Sequence, residues 1–106
     1  IGYSTFEGCS SLIYLAIPSS VQSIGESAFD GCSSLKLIAI PPLVTKIEQF
    51  TFRGWSSLKK LTIPSSVSKI EQDAFDGCTS LTQLSVSSKV NLENIGIDSN
   101  VIINYI

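Results

Sequence analysis

The chain has 106 residues, of which 43% are hydrophobic and 15% charged, and its formal net charge is −2. This composition excludes a disordered tail, and so few cations argue against nucleic acid as the main partner, since phosphate binding draws on a dense Lys/Arg surface. No apolar run approaches the roughly 18 residues needed to span a bilayer, and the absence of histidine removes the commonest general base and metal ligand near neutral pH.

The first residues, Ile1-Gly2, align with Ile24-Gly25, so the chain starts inside a repeat. An excerpt of a longer solenoid accounts for this better than proteolytic processing, because an uncovered first coil exposes apolar edge surface. Phe6, Phe29, Phe52 and Phe75 then recur at a constant 23-residue spacing. Leu12, Leu35, Leu58 and Leu81 follow the same period, as do Leu15, Ile38, Leu61 and Leu84. So do Ile17, Ile40, Ile63 and Val86, the valines 21, 44, 67 and 90, and the glycines 8, 31, 54 and 77. A fixed period of this length predicts stacked, near-identical coils in which each coil touches only its neighbours.

Within one coil, Leu12, Leu15 and Ile17 have the L-x-x-L-x-L pattern of a short strand with alternate residues inward. Pro18 lacks the donor a ladder needs and stops that strand. Ser19-Ser20 turns the chain, and Val21 and Ile24 return apolar side chains to the interior. Ser27 to Gly31 reads as one helical turn, with Ser27 capping its start and the glycine making a left-handed exit. The phenylalanine column forms the spine of this convex side. Residues 1–91 thus read as about four 23-residue coils, the first incomplete. Residues 92–106 read as a shortened terminal coil that acts as a C-terminal cap. There Leu92-x-x-Ile95-x-Ile97 is matched to Leu12-x-x-Leu15-x-Ile17, with an irregular hairpin as the alternative.

The unit C-S-S-L-x-x-x-x-I-P-S-S-V-x-x-I-x-x-x-A-F-x-G closely resembles the 23-residue leucine-rich repeats of the BspA-like family. Cys32 to Pro41, Ile63-Pro64-Ser65-Ser66-Val67 and Ala74-Phe75-Asp76-Gly77-Cys78 carry it. The resemblance implies a right-handed leucine-rich repeat solenoid with one short parallel β-sheet and a 3₁₀ or irregular convex side. It also implies a cell-surface or secreted adhesin that binds extracellular-matrix or other cell-surface proteins, a cytoplasmic scaffolding solenoid being the alternative. Neither leader nor anchor is visible in this segment, and no binding residue shared across the family can be carried over. The chain departs from the pattern at Trp55, Pro42-Leu43 and Ser87.

Candidate chemistry is sparse. Cys9, Cys32 and Cys78 share one column with Trp55 and read as buried thiols. A column points all its thiols the same way, which does not suit a metal, and parallel in-register side chains suit a Cys9–Cys32 bridge poorly. Arg53 between Asp30 and Asp76 reads as a solvated ion triad, and Lys46 beside Lys69 as solvated surface. The serine-rich turns are expected to satisfy backbone groups between coils. Neither a catalytic residue nor a cofactor or metal site is assigned. The protein-binding candidates are the outward strand positions Tyr14, Ala16, Leu37, Ala39, Lys60 and Thr62, with Lys36 and Lys59 adding positive charge. Taken with Gln83 and Ser85, this strip runs from apolar at the N-terminal coils to polar at the C-terminal ones. A partner surface, an ordinary sheet face and a face shielded by further coils remain alternatives, and exposed sheet ends make end-to-end self-association plausible in an isolated fragment.

Overall fold

A computed structural model describes residues 1–2 and 5–106. The first ladder lies on one side in two parallel segments: β1 (Tyr14–Leu15) with β2 (Leu37–Ile38), and β4 (Lys60–Thr62) with β6 (Gln83–Val86) and β7 (Ile102–Tyr105). They meet where β2 lies beside β4. Tyr14 faces Leu37, and Lys60 faces Gln83, so residues of equal rank stand side by side at the 23-residue step. Strand β6 continues to Val86, where Ser87 takes the place of the proline that closes the earlier coils.

Beyond the expected strip there is a second ladder, β3 (Lys46–Ile47) with β5 (Lys69–Ile70). Ile47 and Ile70 are buried, while the lysines point out. There they form an alternating lattice: Lys46 pairs with Glu48 and Glu71 at 3.5 Å each, and Lys69 pairs with Glu71 at 3.2 Å.

The core is a set of files running through the coils. Ile24, Ala28, Phe29, Leu35, Val44, Ile47, Phe52, Leu58, Ile63, Val67, Phe75 and Leu84 are all buried. The phenylalanines stack in two pairs, Phe6 on Phe29 and Phe52 on Phe75, each with centroids 5.3 Å apart. Between the pairs the indole of Trp55 enters edge-on, 5.9 Å from Phe29 and 4.7 Å from Phe52. Edge-to-face contact of this kind suits the aromatic quadrupole.

The convex segment is not a helical turn. Ser27 itself is left-handed (φ 57°), as are Phe50, Asp73 and Asn94 in later coils, and a second left-handed residue follows at Gly31 (φ 80°). The Ala28, Asp30 and Cys32 amides each donate to the carbonyl three residues back, a run of tight turns that spans these two points. The glycine exit is as expected. A Cβ on Gly77 would lie 3.3 Å from the Gly54 backbone nitrogen, so this column brings backbone against backbone.

The last coil corrects the matched register. Ile103, not Ile95, stands beside Leu84, and Tyr105 beside Val86. The step from Leu84 to Ile103 is four short of the 23-residue period, and the convex half is retained. Asn94 takes the left-handed position of Ser27, Phe50 and Asp73. Phe75 donates to the Ile95 carbonyl as Phe52 donates to that of Ala74. Two residues are lost between Val90 and Asn94, and two more before Ile103. Gly96 permits the tight path, because a Cβ there would sit 2.7 Å from the Asp76 nitrogen.

These files predict a position-dependent cost of truncation. Phe52→Ala, in a fully buried site, should lower stability by about 3–5 kcal/mol. Phe6→Ala should cost clearly less, because Phe6 is only half-buried. Urea unfolding monitored by circular dichroism compares them, and equal losses would contradict the stacked-coil packing.

Candidate functional site

The outward side of β1 and β2 carries large exposed apolar side chains. Tyr14 is 59% exposed and Leu37 61%, and they are partners in register. Ile13, beside them, is also exposed and was not among the sequence candidates. Next to this patch an open groove of about 480 Å³ is lined by Leu37, Ala39, Lys60 and Thr62, with Pro64, Gln83 and Ser85 closing it. The structure therefore brings four of the candidates into one depression. Tyr14 and Ala16 lie outside it, on the coil before. Lys36 and Lys59 line a separate shallow depression at the rim, with Ser56, Ser57 and Ser80.

The strip does not end on polar residues. Because β7 pairs at Ile102↔Gln83 and Asn104↔Ser85, the outward file reads Tyr14, Leu37, Lys60, Gln83, Ile102. Ile102 is exposed, as are Tyr105 and Ile106 beyond it. The expected gradient holds over four coils and reverses at the fifth. The four-residue shortening hid Ile102 from a reading at constant period.

The other chemical groups are structural. The Cys32 thiol donates to the Phe6 carbonyl at 3.4 Å, and the Cys78 thiol to that of Phe52 at 3.2 Å. Trp55 fills the same rank, its Nε1–H donating to the Phe29 carbonyl at 2.7 Å. Each donor lies 26 residues beyond its acceptor, so the column bonds the second, third and fourth coils each to the one before it. This explains why tryptophan can replace cysteine here, since both present a buried apolar body and one proton to donate. The three cysteines are free thiols. Burial pushes the Cys78 thiol up to about 12, and burial together with the nearby Cys9 pushes Cys32 up to about 11.

Arg53 does not bridge two aspartates. Its guanidinium forks onto the Asp30 carboxylate, with Nε to Oδ1 at 3.1 Å, and lies 4.2 Å over the Phe50 ring. Asp76 adds only longer-range attraction. The serine turns act as expected: Ser57 and Ser66 donate across coils to the carbonyls of Ser33 and Val44, at 2.8 and 2.7 Å. Among the described residues no group of three or more His, Cys, Asp or Glu side chains could hold a metal ion, and no helix is long and apolar enough to cross a membrane.

Residues 1–103 match the BspA-type leucine-rich repeat region in six copies. Among solved structures the chain is similar to a leucine-rich cell-surface protein of Faecalibacterium prausnitzii, at 32% identity and a TM-score of 0.91 over 99% of this chain. It is similar to a leucine-rich repeat protein of Bacteroides ovatus at 35% identity and a TM-score of 0.92, again over 99% of its length. A leucine-rich repeat protein of T. pallidum matches 86% of it at 36% identity, with a TM-score of 0.81. The chain spans 29%, 27% and 42% of those three proteins respectively. No curated protein sequence matches.

The thiol column predicts ordered reactivity. Under mildly alkaline native conditions iodoacetamide should alkylate half-buried Cys9 first, with Cys32 and Cys78 protected until the chain is unfolded, as mass spectrometry of the peptides would record. The buried thiols keep their protons where an unfolded thiol, near 9.0, has lost its own. Their contribution to stability is therefore complete below pH 9 and lost as the pH rises through about 11 to 12. Equal alkylation rates at all three positions would contradict this.

Proposed function

We propose that this chain, which belongs to the BspA-type leucine-rich repeat family, is a non-enzymatic protein-binding module of a cell-surface or secreted adhesin. The observation that carries the reading is the side-by-side exposure of Tyr14 and Leu37 on a parallel ladder. A pair of large apolar groups held in register is a ready anchor for a partner, and aromatic anchors dominate binding energy at protein interfaces. The adjacent groove, with Ala39, Lys60 and Thr62, offers a shallow surface complementary to a protein rather than an enclosed site for a small substrate. Among the described residues its lining holds one ionisable side chain, Lys60, and no general base beside the hydroxyls, which supports a binding role over catalysis. Lys36 and Lys59 extend the surface at its rim. The cell-surface protein of F. prausnitzii, alike over nearly the whole of this chain, supports the surface location.

The test is binding to immobilised extracellular-matrix proteins by the parent chain and by Tyr14→Ala/Leu37→Ser. Both positions are exposed, so the double variant should fold normally and lose affinity about ten-fold or more. Unchanged binding by the folded variant discards the strip as the site.

Apolar surface at both ends supports end-to-end association of the isolated segment. Phe6, Cys9, Leu12 and Leu15 are half-buried where their later equivalents are mostly buried, and they line an apolar depression of about 550 Å³. At the opposite end β7 presents Ile102 and Tyr105, and Ile106 follows it, also exposed. Stacking of one end on the other in a second copy gives a head-to-tail contact, while β7 in the same position caps the single chain. Sedimentation velocity should show a coefficient that rises with concentration and falls back in Ile102→Asp/Tyr105→Asp. A constant monomer value would overturn this.

A further inference from the structure

The acidic residues avoid the strand-bearing stretches. All nine acids lie at 7, 26, 30, 48, 71, 73, 76, 93 and 98, so the stretches 8–25, 31–47, 49–70 and 77–92 contain none. The cations divide differently. Arg53 is held by Asp30, and Lys46 and Lys69 by Glu48 and Glu71. Lys36, Lys59, Lys60 and Lys89 are exposed and form no ion pair among the described residues. The first three sit at neighbouring ranks on successive coils: Lys36 and Lys59 share one depression, and Lys60 lines the groove beside Leu37. Like charges on adjacent coils repel at a spacing of roughly 5 Å. The fold neutralises such neighbours on the second ladder and leaves them uncompensated here.

From this segregation we infer that the strip takes an acidic polypeptide segment that also carries a large apolar side chain. The apolar group seats on Tyr14 and Leu37, and the carboxylates meet Lys60 within the groove and Lys36 and Lys59 at its rim. The inference rests on the strip being the binding face, and it adds the chemistry of the partner. A chain with a net charge of −2 that gathers three of its seven cations beside its exposed apolar pair is complementary to a partner of mixed character. A sulfated glycan or other uniform polyanion fits less well. It would leave Tyr14 and Leu37 unused, and it would meet only three cations on this face, too few for a counterion-driven complex.

Fluorescence anisotropy can test this with a labelled twelve-residue peptide of Asp and Glu containing one Phe and one Leu. The controls are the same peptide with Asn and Gln, the same with Lys, and a heparin fragment. The acidic peptide should bind, weaken as salt is raised, and bind about ten-fold more weakly to Lys36→Glu/Lys59→Glu/Lys60→Glu. That triple variant should instead gain affinity for the Lys peptide. Three results would overturn the inference: equal binding of the neutral peptide, no binding of the acidic one, or heparin binding that Tyr14→Ala/Leu37→Ser does not touch. Insensitivity to charge alongside loss of matrix-protein binding in Tyr14→Ala/Leu37→Ser would sink the acidic partner and leave the strip standing. Unchanged matrix-protein binding in that double variant would remove the strip itself.

Discussion

The structure depends on one constraint: each backbone bond between coils must close at the same or an adjoining rank of a neighbouring coil. Phe6, Gly31 and Phe52 donate to the carbonyls of Ala28, Arg53 and Ala74, and on the strand side Lys36 and Thr82 donate to those of Ile13 and Lys59. A register kept this strictly decides which residues can be accommodated. It demands glycine where backbones touch, at Gly54 and Gly77, and a proton donor at the rank of Cys32, Trp55 and Cys78. Buried backbone groups without partners are costly, so the side-chain donors complete an accounting that the ladders leave open.

The same constraint shapes the functional surface. Because ranks are conserved from coil to coil, outward positions become files, and a file of unlike residues becomes a graded surface. The file of Tyr14, Leu37, Lys60, Gln83 and Ile102 mixes apolar and polar ranks at a spacing set by hydrogen bonds rather than by side-chain packing. Such a surface is preorganised, and its residues are free to vary without disturbing the core. The second ladder uses the same geometry for the opposite end, since its lysines and glutamates satisfy one another.

The fold was legible because apolar residues at constant spacing report burial directly. The phenylalanine file, the glycine exits and the outward placement of Tyr14 and Leu37 all follow from that spacing. Three things were hidden for physical reasons. Leu92, Ile95 and Ile97 imitate a strand pattern, yet the last coil is shortened at two places, and only the hydrogen bonds put Ile103 beside Leu84. The left-handed backbone at Ser27 and Phe50 carries no glycine to announce it. Alignment by rank placed Lys46 beside Lys69, whereas the ion pairs run between these lysines and the glutamates two ranks on. The site candidates were recognised as outward, but their division between a groove and its rim needed the path of the chain.

Native-state hydrogen exchange tests the register most directly. The amides that bond from coil to coil in the middle of the stack, Gly31, Phe52 and Ile63, should be the slowest and should open together with a single free energy. Those closing a turn within one coil at the N-terminal end, Cys9 and Leu12, should exchange much sooner. Uniformly rapid exchange of the inter-coil amides, or protection confined to the turns, would contradict a molecule held together by in-register stacking.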